Sequence, residues 1–552
     1  MVLRRKALGI EALTVQRTTI LGGRYPTLAG KLQELTALRA QVVQKTLAGP
    51  GSEDIEVHRH ILAEWARQRD RLEEELARLI PEMDIAQKLQ SADHQAVARA
   101  LPQEAVLVEF VRFKNYDFQA IPARNEARWK SPRYAAFVLH AGGSEDIQFI
   151  DLGEADPIDQ HLALYITALD QPAPLRFGKS GGRPVTQDMH ETIRTGRSLR
   201  KHLFDALAAA LGDCKRLFLA PDGDLARLPF EVLPTDDGHY LIDEYQISYL
   251  STGRDMLAFE RPFSKAPAPS LVVADPDFNL RQVANPGSLP GADMAPSRWR
   301  SQDLTRNIRP FEPLPGTRIE GQKIATLFEV QPLLAEAALE APLKASRSPR
   351  ILHIATHGFF LPDQPHATGQ QDIDWHTPDQ STRGRLEQYF ELPGGNPLLR
   401  SGLALAGANT WIEGASLPEE AEDGLLLAED VSGMDLLDTE LVVLSACETG
   451  LGEVHIGEGV FGLRRAFAVA GARTLVMSLW RIPDTHTQEL MEQFYHHLLK
   501  GQPRADALRI AQLAIKEEYP HPFYWGAFIC QGDPNPLLLG GKTKSRIVRE
   551  HS

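Results

Sequence analysis

The chain has 552 residues, 43% of them hydrophobic and 24% charged, with a formal net charge of −14 and an isoelectric point near 5.7. That length supports a large core split into two or three domains, and the acidic balance sets nucleic acid aside as a partner, because nucleic-acid binders carry a basic face or tail. Three widely spaced cysteines, Cys214, Cys447 and Cys530, with no CxxC pair, supply neither a disulfide framework nor a thiolate zinc site, and no apolar stretch of about 20 residues follows the basic N-terminus. The expectation is a soluble cytoplasmic protein with no membrane span, metal or cofactor.

Residues 1–100 read as helical. Leu28, Leu32, Leu35 and Val42 form one apolar stripe, and Leu62, Trp65, Leu72, Leu76 and Leu79 form a second among many charges. The break at Gly49-Pro50-Gly51-Ser52 makes this an α-hairpin whose stripes are packing surface.

From Ala105 the period shortens. Ala105 to Phe113, Tyr134 to Ala141 and Ile147 to Leu152 read as strands, His190 to Leu211 as a helix, and Arg216 to Ala220 as a buried strand entering the turn Pro221-Asp222-Gly223. This first α/β layer, residues 101–262, ends at a Pro- and Ser-rich boundary. Beyond it, residues 263–552 hold further strand candidates at Leu271 to Ala274, Ile351 to Ala355, Leu441 to Leu444 and Thr474 to Leu479, with helical patterns between them. Such alternation implies an α/β fold with a largely parallel sheet flanked by helices. The polar, Pro- and Gly-rich interval Leu361 to Leu399 reads as a long loop, either a lid or latch over a cleft or plain surface disorder.

Two of these strands end in reactive groups. Thr356-His357-Gly358 follows one and Ala446-Cys447-Glu448-Thr449-Gly450 follows the other, 90 positions apart. In an open α/β sheet functional groups collect at the carboxyl ends of strands, so an imidazole and a thiol there can face each other. The imidazole takes the thiol proton, the thiolate attacks a peptide carbonyl, and the amides of Gly358 and Cys447 are the candidates to hold the oxyanion.

The blocks His353-Ile354-Ala355-Thr356-His357-Gly358, Leu444 to Gly450, Gly457 to Trp480 and His521-Pro522-Phe523-Tyr524-Trp525 resemble the CHAT domain, a caspase-like and separase-like cysteine peptidase family. Pro221-Asp222-Gly223 with Leu228-Pro229-Phe230-Glu231, Pro315-Gly316-Thr317-Arg318 and Ser401 to Asn409 extend the likeness over residues 100 to 540. The resemblance implies a caspase-type sheet preceded by a related inactive half, His357 as general base, Cys447 as nucleophile, and Ser445 lining the pocket for the residue before the scissile bond. It likens Met477-Ser478-Leu479-Trp480-Arg481 to the strand along which substrate lies extended. Arg481 favours an acidic or neutral residue before the cut, Asp484 and Asp222 a basic one, and the preference is open at this stage. The partners implied are a protein or peptide substrate and a regulatory protein in bacterial defence or signalling. The tetratricopeptide repeats that usually precede this domain are not evident, so the chain is a repeat-free member or part of a longer architecture.

Other readings are weaker. His353 is expected as a satisfied core histidine, Cys214 and Cys530 as structural residues, and no HExxH spacing supports a metal. Gly457 to Gly462 fits GxGxxG, yet it follows no strand of a βαβ unit and reads as a turn before a helix from Val460 to Ala470. Ser445 lacks the GxSxG elbow. The alternative to a peptidase is a catalytically silent scaffold that mediates protein–protein interaction.

Overall fold

The computed structural model describes residues 6, 26–48, 53–79, 93–120, 127–142, 147–169, 186–259, 263, 266–281, 310–360, 397–446, 453–455 and 459–538. Helices α1 (Ala29–Ala48) and α2 (Ile55–Leu79) form the N-terminal hairpin, and α3 (His94–Ala100) leads into the sheet. Leu28, Leu32, Leu35, Leu38, Leu72 and Leu76 make the hairpin's own apolar cluster, whereas Leu79 from the expected stripe is exposed.

The first half of the sheet holds β1 (Ala105–Tyr116), β2 (Trp129–His140), β3 (Gln148–Glu154), helices α4 (Ala155–Leu169) and α5 (Thr186–Leu203), β4 (Arg216–Ala220) and β5 (Gln246–Tyr249). The second half begins with β6 (Leu271–Pro276), α6 (Pro315–Leu327), β7 (Leu333–Ala335), β8 (Ile351–Thr356), β9 (Gly358–Phe360), β10 (Ser401–Ala404) and β11 (Leu425–Leu427). It continues through α7 (Ala428–Gly433), β12 (Leu441–Ala446), β13 (Glu453–His455), β14 (Gly459–Phe461), α8 (Leu463–Ala470), β15 (Thr474–Ser478), α9 (Asp484–Leu499), α10 (Arg504–Glu518) and β16 (Phe528–Gly532).

The two α/β layers read from the sequence share one 11-stranded sheet, in the order β3-β2-β1-β4-β5-β16-β15-β12-β8-β6-β7. Seven of its ten neighbouring pairs are parallel; the antiparallel ones are β1 with β2, β2 with β3 and β15 with β16. The reversal at β15–β16 makes the two parallel blocks run in opposite senses, so β4 and β12 end on opposite edges of the sheet. One contiguous apolar core extends across both halves, from Val106 and Tyr165 to Leu441 and Trp525.

The central strands β8, β12 and β15 are buried at every position. A parallel strand covered by helices on both faces needs apolar or small side chains in a nearly unbroken run, and that is the pattern of Leu441–Leu444 and, apart from His353, of Ile351–Ala355. The edge strand β3 is mostly exposed instead, with Leu152 its one buried position. The helix expected from Val460 begins at Leu463, because Gly459–Phe461 pairs with Glu453–His455 as a hairpin and Gly462, at φ 150°, makes the turn into the helix. The Gly49–Ser52 break and most of the Leu361–Leu399 interval lie outside the described residues.

Candidate active site

Strands β8 and β12 lie side by side in register, with Ala355 opposite Ser445 and Thr356 opposite Ala446. His357 therefore follows the carboxyl end of β8, and Ala446 closes β12 beside it. Cys447 is the next residue in the sequence and lies outside the described residues, as do Glu448, Thr449 and Gly450.

The main chain around His357 is braced from β10. Thr356 Oγ1 donates to Ala404 O at 2.6 Å, and Ala404 N donates to His357 O at 2.9 Å. Gly358 opens β9 and pairs in register with Leu403. The His357 ring sits between Phe278 and Phe311, with centroids 5.4 and 5.6 Å away, and its Nε2 donates to the main-chain oxygen of Glu312 at 2.7 Å. A carbonyl only accepts, so Nε2 carries the proton and the neutral ring keeps its lone pair on Nδ1. Burial pushes the imidazole pKa below its ordinary 6.5; the Glu312 hydrogen bond opposes this, the Arg481 cation adds to it and the Asp484 carboxylate opposes it.

The segment bearing Glu312 is held by Asn409, from a block that the sequence reading singled out without a role. Asn409 Oδ1 accepts from Phe311 N at 2.8 Å, and its Nδ2 donates to Phe311 O at 3.0 Å and to Asn279 Oδ1 at 3.1 Å.

Next to Thr356, the residue before His357, lies a small cleft lined among others by Thr317, Glu320, Thr356, Ser445, Ala446, Ser478, Trp480 and Asp484. Four expected substrate-binding residues, Ser445, Ser478, Trp480 and Asp484, thus come together. Ser445 Oγ is buried and has no hydrogen-bond partner among the described residues. Ser478 Oγ donates to Ala446 O at 2.6 Å, which ties β15 to the residue preceding Cys447. Trp480 Nε1 donates to Phe523 O at 3.0 Å, a contact made by the terminal aromatic block.

Asp484 opens α9 and faces the start of α6, where Gly316 leaves room for it: a Cβ on Gly316 would stand 2.6 Å from the Asp484 Cβ. Burial raises the Asp484 carboxyl pKa, and Arg481 and His357 oppose the rise. Below it Glu320 reaches His353 Nε2 at 3.2 Å, while His353 Nδ1 and the Tyr495 hydroxyl are 3.0 Å apart; His353 is fully buried.

Two expected residues stand apart from the cleft lining. Arg481 is exposed and acts on His357 and Asp484 only through its charge. Asp222 lies after β4 in the first half, where its carboxylate accepts from the backbone N–H groups of Arg112 and Gly223, both at 2.9 Å. The sequence reading gave no part to Glu312, Asn409, Gly316 or Glu320. Among the described residues no group of His, Cys, Asp and Glu is arranged to hold a metal ion, and no helix is long and apolar enough to cross a membrane.

The sequence pattern of the CHAT domain matches residues 194–533. The chain belongs to the CHAT domain family. The CHAT match starts within α5 and ends just after β16, so it includes the junction between the two parallel blocks. Tetratricopeptide repeat protein 28 of Homo sapiens is 24% identical to this CHAT chain over 361 residues, and its Mus musculus counterpart is 24% identical over 352 residues. Each alignment covers 61% of the chain, which spans 13% of the length of these curated relatives. Among solved structures the chain is similar to the Saccharomyces cerevisiae separase–securin complex, at 10% identity and a TM-score of 0.31, over 92% of this chain and 27% of that one. It is also similar to the complex of Porphyromonas gingivalis RgpB pro- and mature domains, at 10% identity and a TM-score of 0.32, over 69% of this chain and 77% of that one.

Proposed function

We propose that this CHAT domain chain is a caspase-like cysteine endopeptidase in which His357 activates Cys447. The observation that carries the reading is the His357–Glu312 contact. It leaves Nδ1 as the basic nitrogen at the end of β8, next to the strand whose continuation is Cys447. Nδ1 takes the Cys447 proton, and the sulfur forms a bond to the scissile carbonyl carbon, placing the developing negative charge on the carbonyl oxygen near the Gly358 and Cys447 amides. Collapse breaks the C–N bond, the imidazolium returns its proton to the leaving amine, and water activated by the same base hydrolyses the thioester.

The cleft supplies the pocket for the side chain before the cut. Its ionisable lining, Asp484 and Glu320, is acidic, whereas Arg481 is exposed and outside the lining. This favours a basic side chain, with the Ser445 hydroxyl, unpartnered among the described residues, as an added acceptor. Met477 is already paired with Leu444 on one side and Ile529 on the other, so an extended substrate would pair only with main chain beyond Ser478, at Trp480 and Arg481.

Cleavage of a peptide library by the wild-type chain and by Cys447→Ala tests the reading: cleavage after Lys or Arg that disappears in the variant supports it, and identical profiles overturn it. A second reading, an interaction module without turnover, draws on the likeness to a protein named for its tetratricopeptide repeats. It predicts that neither chain cleaves and that a partner binds both equally.

A further inference from the structure

The geometry points to a socket for a primary ammonium group in the first half of the sheet, with Lys6 as its resident occupant. Lys6 is 4% exposed, and its Nζ donates to Phe110 O at 3.1 Å and to Ala220 O at 2.6 Å while it ion-pairs with Glu109 Oε1 at 2.9 Å. Three oxygens thus surround a group that carries three N–H donors. The other Glu109 oxygen accepts from Gly253 N at 2.7 Å, so both ends of the carboxylate are engaged. Register places Glu109 opposite Ala220, the last residue of β4. The socket therefore lies at the carboxyl ends of parallel strands, where open α/β sheets take their ligands, and on the edge opposite the one that carries His357.

A glutamate side chain that is 3% exposed in a strand is costly unless a cation meets it, and removing that cation leaves a buried, uncompensated charge. The socket selects its cation. A guanidinium is wider and planar, and a quaternary ammonium has no N–H to give the two carbonyls. Arg254 Nη2 donates to the main-chain oxygen of Lys6 at 2.7 Å, so the site contacts the peptide backbone as well as the ammonium. The ligand class is a lysine side chain carried on a peptide. Supplied by Lys6, it fastens that residue to the first half; supplied by another molecule, it would have to displace Lys6. This inference does not depend on the peptidase reading.

Thermal unfolding of the full chain tests it. Lys6→Met is expected to lower Tm by several degrees, and adding Glu109→Gln to that variant should recover part of the loss, because the orphaned charge is gone. Strictly additive losses would overturn the inference. Lys6→Ala vacates only the side chain beyond Cβ, so titration with n-propylammonium chloride should show a saturable rise in Tm, with no comparable rise from tetramethylammonium chloride at equal ionic strength. Stabilisation that does not distinguish the two cations would overturn it. Should Lys6→Ala fail to fold, Glu109→Gln alone decides: faster tryptic cleavage after Lys6 is expected, and cleavage at the wild-type rate would overturn the proposal.

Discussion

His357 Nε2 donates to the main-chain oxygen of Glu312 at 2.7 Å, and this contact fixes which imidazole nitrogen is free to act as a base. Phe278 and Phe311 pack on the ring, and the resulting burial favours the neutral form that a base requires.

The sign of the pH dependence follows. Because burial pushes the His357 pKa below 6.5, the neutral base persists to lower pH, and the acid limb of kcat/KM should fall below the midpoint of free histidine. Arg481 lowers this pKa, so Arg481→Gln should move the limb to higher pH; Asp484 raises it, so Asp484→Asn should move the limb to lower pH. pH–rate profiles of the three chains check this, and limbs that coincide would remove His357 as the titrating base.

Asp484→Asn also tests the pocket. Loss of a partly buried carboxylate facing a basic side chain should cost about 2 kcal/mol or more, roughly a 30-fold fall in kcat/KM for peptides with Arg or Lys before the cut. Peptides with a neutral residue there should change far less. An equal fall for both would show that Asp484 does not read that side chain.

Gly316→Ala should disturb the same place by volume alone. The new methyl would stand 2.6 Å from the Asp484 Cβ, so α6 and α9 must separate. A destabilisation of about 1–3 kcal/mol in chemical unfolding is expected, with reduced turnover. A chain as stable and active as wild type would show that this contact tolerates a side chain.

Asn409→Ala removes three hydrogen bonds around Phe311 and Asn279 and frees the segment carrying Glu312. About 1–3 kcal/mol of stability should be lost, and kcat should fall more than KM rises, because the base loses its orienting carbonyl without a change in the cleft. A change confined to KM would contradict that role.

Much of this arrangement was legible in the sequence. The runs at Leu217–Ala220, Ile351–Ala355 and Leu441–Leu444, largely apolar and too short for a helix, point to central strands covered on both faces. The likeness to the CHAT domain, and not periodicity, singles out Ser445, Ser478, Trp480 and Asp484, which line one cleft; their part in substrate binding belongs to the proposal. The joining of the two layers was not legible. It depends on β5, four residues long with Gln246 and Ser248 among them, and on β16, which ends in Gln531 and Gly532. β5 is too short to establish a period and the apolar start of β16 is cut off by a polar residue and a glycine, so tertiary pairing decides their state. Glu312 was hidden for a different reason: its contact with His357 is made by a main-chain oxygen, which any residue offers. Gly316 contributes space, and the need for that space appears only when α9 is packed against it.

The most direct test of the central claim is the rate at which iodoacetamide alkylates each cysteine at neutral pH, read by mass spectrometry in the wild-type chain and in His357→Ala. Burial pushes the Cys530 thiol up to about 12 and raises that of Cys214 as well, so both should react slowly in either chain. The account predicts that Cys447 reacts fastest in the wild type and slows markedly when the imidazole is removed. A Cys447 rate no greater than those of Cys214 and Cys530, and unchanged by His357→Ala, would contradict it.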